Sequence, residues 1–182
     1  MLNTPNVLTL VRMVLIPVFM LFYYLGIDNW NLYAGVIFII ASLTDMLDGM
    51  IARKKGLVTN FGKFADPIAD KLLVAAALFI LLEEGMINGV LTFILIAREF
   101  IISGFRMVAA SSGVVLAAGS IGKAKTVVQM VGIIVMLLLD PYFNPIGWPI
   151  GLILMYASAV LSIWSCVDYI VRNRALLKET HS

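Results

Sequence analysis

Long apolar runs organise the chain. Six stretches are apolar over most of their length: 7–26, 31–50, 68–87, 89–110, 122–139 and 147–170. Each is close to the roughly 20 residues that a helix needs to cross a bilayer. Arg12 interrupts the first run, so 1–12 reads as an N-terminal interfacial segment ahead of the crossing. That run has no basic start and no small-residue cleavage site, and it is long for the core of a signal peptide. It reads as retained. Turn-forming residues separate the runs at Gly26–Asn29, Glu84–Asn88 and Asp140–Pro145. The stretch 107–122 is rich in Gly, Ala and Ser and poor in helix-stop signals. The pattern predicts an all-α integral membrane protein, one domain over 1–182 with six transmembrane helices.

The charges orient this arrangement. The odd-numbered connections hold Asp28, then Glu83 and Glu84, then Asp140, with no Lys or Arg. All 13 basic residues fall in the N-terminal segment, the even-numbered connections with their adjoining helix ends, and the tail. By the positive-inside rule both termini are cytoplasmic, which requires an even number of crossings. Hydropathy and charge agree on six.

Composition removes the other classes. Of 182 residues, 62% are hydrophobic and 13% charged, against about 25% charged in soluble domains. A water-soluble fold could not hide this much apolar surface, and a disordered chain needs the opposite balance. A net charge of +2 gives no reason to expect nucleic acid as a partner. The single cysteine, Cys166, excludes an internal disulfide and a cysteine-based zinc cluster. The only histidine is His181, beside the C-terminus, so catalytic proton transfer falls to a carboxylate, Lys or Tyr.

Four carboxylates stand where a membrane segment should forbid them. Asp45 and Asp48 are three apart, and Asp66 and Asp70 four apart, at the cytoplasmic ends of the second and third runs. Either spacing puts a pair on one helical face, and a short connection makes the two helices antiparallel neighbours. Converging carboxylates repel unless cations neutralise them. Oxygen-only ligands select hard cations such as Mg²⁺, Mn²⁺ or Ca²⁺, and four suit two ions, an arrangement common in phosphoryl chemistry. Two other readings fit the spacing: a solvated charge cluster paired with Arg53, Lys54, Lys55, Lys63 and Lys71, or the ion relay of a small cation transporter. A transporter places its site near the midplane, whereas these acids border a basic loop.

The segment reads Asp45-x2-Asp48-Gly49-x2-Ala52-Arg53, then eight residues, then Gly62-x3-Asp66-x3-Asp70. This resembles the signature of the CDP-alcohol phosphatidyltransferases at every specified position. The resemblance implies two divalent cations, Mg²⁺ or Mn²⁺, with Asp45 and Asp66 touching both, Asp48 the first and Asp70 the second. It also implies that the metals hold the diphosphate of CDP-diacylglycerol, and that Asp70 is the base for the attacking hydroxyl. Gly49 and Ala52 leave room for the nucleotide, Gly62 permits close approach of the facing backbone at the same CDP-lipid site, and Arg53 suits a diphosphate because a guanidinium grips phosphate oxygens bidentately. Asn6, Thr9 and Thr59 occupy places where the family contacts the cytidine half. Asn6 and Thr9 serve equally well as caps of an interfacial helix. Homodimers are common in the family, which makes a homodimer the expected assembly, in the bacterial inner membrane with the site at the cytoplasmic face.

A second basic cluster bears on the acceptor. Arg98 and Arg106 lie in or beside the fourth run, and Lys123 and Lys125 open the fifth. A buried Arg wants an anion, and Glu99 is expected to pair with only one of these cations. An acceptor with its own phosphate would use the cluster. Gly122-Lys123-Ala124 is not a nucleotide-binding P-loop, because Ala117 stands at its first Gly and Ala124 at its Ser/Thr. The stretches 97–103, 121–129 and 3–12 resemble the branch of the family that uses sn-glycerol 3-phosphate. Inositol-phosphate and serine acceptors are the alternatives within the family. Among the aromatics, Trp30, Trp148, Tyr33 and Tyr142 read as interfacial anchors, and Trp164 as packing within the sixth helix.

Overall fold

The computed structural model describes residues 4–55, 60–111, 113, 114, 116, 119–142 and 149–174, with backbone only for 4–6, 8, 45–55, 60–67 and 111. Every regular element among them is helical: α1 (Thr4–Tyr24), α2 (Trp30–Lys55), α3 (Asn60–Glu83), α4 (Gly89–Ser111), α5 (Ser120–Ile134) and α6 (Ile150–Arg172). A π-helical turn, Val135–Leu139, continues α5, and the Asp140 N–H reaches back five residues to the Val135 carbonyl at 2.9 Å.

The helices do not stop where the apolar runs stop. α2 continues to Lys55 and α3 begins at Asn60, so only 56–59 lie between them. Ala, Arg and Lys at 52–55 are strong helix formers and carry the backbone hydrogen bonding beyond the apolar run. All four aspartates of the signature therefore stand within helices. α1 runs unbroken through Arg12, which is fully buried.

Packing divides the bundle into two sets of three. α1 lies against α2 and α3, while α6 lies against α5 and α4. Phe19, Phe38, Leu73, Leu81, Leu95, Ile133, Leu137 and Met155 form the shared core, each at most 1% exposed. Glycine permits close approach both where the sets meet and within the second set. A Cβ at Gly35 of α2 would collide with Leu138 of the π-helical turn across the seam, and one at Gly151 of α6 would collide with Met136 of its own set.

Polarity is arranged inside out. Arg12, Thr92, Lys125, Gln129, Ser158, Ser162 and Ser165 are buried, whereas Val14, Phe79, Val90, Phe93, Phe100 and Val160 face outward. Trp164 corrects its expected place in the packing: it points away from the bundle. Among the described residues two helices are long and apolar enough by composition to cross a membrane. These are Ser120–Leu139, with mean hydropathy 1.7, and Ile150–Arg172, with 2.0. α4 has the length but carries Arg98, Glu99 and Arg106. The charges that reduce its hydropathy are those that build the site.

One end of the bundle is closed by tyrosines and acids. The Tyr24 hydroxyl donates to Glu83 at 2.7 Å, and the Tyr142 hydroxyl lies 3.1 Å from Asn29 Oδ1 and 2.9 Å from Asn31 Oδ1. Asp140 Oδ2 accepts the Gly151 N–H at 3.1 Å, at the start of α6. The cations gather at the other end.

Candidate active site

Four helices converge at that other end. α3 brings Asp70 and Lys71, α4 brings Arg98, Glu99, Ser103 and Arg106, α5 brings its first turn from Ser120 to Lys123, and α6 brings Ser165, Asp168, Tyr169 and Arg172. Together they line a cavity of about 500 Å³. Because successive helices run antiparallel, the early part of α3, the late part of α4, the start of α5 and the end of α6 come to one end.

Arg98 is held from two sides. Its Nη1 donates to Glu99 Oε1 at 3.1 Å and its Nη2 to Ser165 Oγ at 3.1 Å. Ser165 Oγ donates in turn to the Ser162 carbonyl at 3.1 Å. The Arg98 Nε is buried with no hydrogen-bond partner among the described residues. A buried unsatisfied donor on a cation favours an anion nearby. Gly122 is why α5 can pass so close: a Cβ there would lie 3.1 Å from Arg98 Nη2.

Arg106 is exposed and steered by α6. Its Nε donates to the Tyr169 hydroxyl at 3.3 Å, and its guanidinium carbon lies 5.6 Å from the Tyr169 ring centre. Phe105 meets the same ring edge-on, with centroids 5.8 Å apart. Lys123 is exposed and forms no ion pair among the described residues. The first N–H groups of α5, which a helix cannot satisfy internally, join it on the wall.

Lys125 stands elsewhere. It is 1% exposed, is bonded to Glu99 Oε1, and lines a second, mostly apolar cavity of about 340 Å³ between α3, α4 and α5. Residues two apart on a helix do not share a face, so Lys123 and Lys125 cannot both enter one pocket. Glu99 also departs from expectation. Its Oε1 takes both Arg98 and Lys125, so one carboxylate serves two cations.

Of the other site residues read from the sequence, Thr9 is fully buried in α1, one turn before Arg12. Asp45, Asp48, Gly49, Ala52 and Arg53 belong to α2, Gly62 and Asp66 to α3, and Asn6 to α1; their side chains, and Thr59 altogether, lie outside the described residues. Ser165, Asp168 and Tyr169 were not foreseen. The signal for Ser165 and Tyr169 was a polar stripe at 158, 162, 165, 169 and 172 in a mostly apolar run, a four–three spacing that marks one helical face; Asp168 adjoins it.

The family model described as CDP-alcohol phosphatidyltransferase matches residues 2–164. The chain belongs to this family. Among its relatives, the CDP-diacylglycerol–glycerol-3-phosphate 3-phosphatidyltransferase of Bacillus subtilis is 38% identical, with 100% of each chain covered. The enzyme of the same name from Shigella flexneri is 40% identical over 95% of this chain and 96% of its own. That of Rickettsia bellii is 37% identical over 92% and 93%. The fold is shared with the crystal structure of Mycobacterium tuberculosis phosphatidylinositol phosphate synthase, with a TM-score of 0.65, 24% identity, and 91% and 86% coverage. The family match ends at residue 164, so the α6 residues that close the cavity, Ser165 to Arg172, lie just beyond it.

Proposed function

We propose that this member of the family transfers the phosphatidyl group of CDP-diacylglycerol to sn-glycerol 3-phosphate, giving phosphatidylglycerophosphate and CMP. One observation carries the reading: Asp70, the last carboxylate of the signature, shares the wall of a cavity with Arg98, Arg106 and Lys123. A base and a phosphate-sized set of cations in one chamber suit an acceptor that bears both a hydroxyl and a phosphate. The names of the relatives, and their coverage of the whole chain, support the same acceptor.

The donor set of Asp45, Asp48, Asp66 and Asp70, all oxygen and on two helices separated only by 56–59, suits two hard divalent cations, Mg²⁺ or Mn²⁺. Bound there, they would neutralise the diphosphate and the developing charge on the leaving phosphate. Arg53, Thr59, Asn6 and Thr9 serve the cytidine diphosphate half, Gly49 and Ala52 leave room for it, and Gly62 lets the facing backbone approach.

In the acceptor cavity, Arg98, Arg106 and Lys123 hold the phosphate of glycerol 3-phosphate, and Lys125 backs them through Glu99. Asp70 takes the proton of the free hydroxyl. The hydroxyl oxygen bonds to the phosphorus that carries the diacylglycerol, the phosphoanhydride bond to CMP breaks, and CMP leaves with that electron pair. The inside-out polarity supports a reading of the bundle as a six-crossing protein of the bacterial inner membrane. The cationic end is cytoplasmic, where a water-soluble acceptor meets a lipid donor. A homodimer is the assembly that this reading carries.

The test is CMP release from CDP-diacylglycerol in detergent with a panel of acceptors. Release with glycerol 3-phosphate, and little with inositol phosphate, serine or glycerol, is the expected result. Preference for inositol phosphate or serine overturns the acceptor assignment, and no CMP release with any acceptor overturns the reaction.

A further inference from the structure

Glu99 lies one residue from a cavity-wall cation yet spends its charge on two neighbours. Its Oε1 accepts from Arg98 Nη1 at 3.1 Å and from Lys125, which is almost wholly buried. Arg98 is clamped on its other side by Ser165 of α6 at 3.1 Å. The guanidinium is thus stretched between α4 and α6, and its Nε has no partner among the described residues. Lys125 belongs to the apolar cavity, while Glu99 lines both cavities and stands in the partition between them.

Two cations this close repel each other in a low-dielectric interior. Without a carboxylate between them, the buried ammonium loses its bonded counter-charge and is left to the Coulombic attraction of Asp70, and the guanidinium loses the contact that sets its rotation. Arg98 would then be free to leave the orientation in which its unpartnered donor can meet an anion. Preorganised donors bind better because the protein does not have to order them when the ligand arrives.

We propose that Glu99 is a positioning residue for acceptor recognition: it aligns Arg98 for the acceptor phosphate and keeps Lys125 on the apolar side of the partition. The role rests on the acceptor reading above and deepens it. Glu99 does not touch the acceptor; it acts through Arg98.

The experiment is a double-mutant cycle on Glu99 and Arg98. Glu99→Gln should raise the KM for glycerol 3-phosphate about tenfold, the low end of what one charge-assisted contact is worth. The KM for CDP-diacylglycerol and kcat should stay within about twofold, and Glu99→Asp should recover part of the loss. In an Arg98→Gln background the Glu99→Gln change should add almost nothing, because the group it aligns is gone. A full tenfold effect in that background, or a fall in kcat with KM unchanged, overturns the proposal. Should Glu99→Gln fail to fold with Lys125 unpaired, Glu99→Gln/Lys125→Met is compared with Lys125→Met alone. The acceptor KM must still rise; equal KM values would reduce Glu99 to a counter-ion of Lys125. Calorimetric titration with inorganic phosphate, without the nucleotide lipid, separates the two claims. Weaker phosphate binding by Glu99→Gln supports the positioning role even if the acceptor panel selects another phosphomonoester, and unchanged binding rejects it.

Discussion

The two halves of the bundle store their chemistry differently. In α1–α3 the reactive groups are close in sequence: the signature runs from Asp45 to Asp70 across two helices separated by four residues. Any structure that keeps those helices side by side keeps the carboxylates together. In α4–α6 the site is assembled from afar. Arg98 meets Ser165 67 residues away, Arg106 meets Tyr169 63 residues away, and Lys125 meets Glu99 26 residues away. A donor and metal site can be written into local spacing. An acceptor pocket of this kind exists only once α4, α5 and α6 have packed with one another and against α3.

The largest expected contrast between the halves comes from removing the metal and the base. Excess EDTA should abolish CMP release, with Mg²⁺ or Mn²⁺ restoring it; full turnover under chelation would refute the two-metal site. Asp70→Asn should lower kcat by about 10²- to 10⁴-fold, the range for a positioned general base. CDP-diacylglycerol binding, measured by displacement of a labelled nucleotide lipid, should survive in large part. If kcat is close to that of the parent, the base lies elsewhere.

In the other half the loss should appear in KM. Arg106→Gln and Lys123→Gln should each raise the KM for glycerol 3-phosphate by roughly 10- to 150-fold, the equivalent of about 1.5–3 kcal/mol for one charged contact. Apparent affinity for CDP-diacylglycerol should hardly change. Equal weakening toward both substrates would erase the division of labour between the halves.

A substitution at the seam should affect both halves through stability. Gly35→Ala places a methyl group against Leu138, and overpacking of this kind costs about 1–3 kcal/mol. The Tm in detergent should fall by several degrees while the KM of the surviving enzyme for either substrate is unchanged. A selective rise in one KM would show that the seam also shapes one of the sites.

The smallest effect is expected at Gly122. A Cβ there would lie 3.1 Å from Arg98 Nη2, and the guanidinium, tied to Glu99 and Ser165, has little freedom to retreat. Gly122→Ala should raise the KM for glycerol 3-phosphate a few-fold with no change in Tm. The same substitution in an Arg98→Gln background should be silent.

Local patterning alone was enough for much of this protein. Apolar runs located all six α-helices of the described residues, because the length of an apolar stretch and the turn residues around it are properties of neighbouring positions. The signature, fixed in spacing from Asp45 to Asp70, pointed to the family for the same reason. Helix ends were less legible: α2 and α3 continue past their apolar runs, since backbone hydrogen bonding proceeds through any good helix former. Three features were decided only by the tertiary structure. Lys125 leaves the acceptor cavity because residues two apart on α5 face different ways. Glu99 takes two cations because α4 and α5 bring them to one oxygen. Ser165 and Tyr169 enter the site because the polar stripe of α6 turns toward α4, while Trp164, one residue from Ser165, faces outward. A stripe in the sequence reveals that a face is polar, and only packing selects the neighbour it meets.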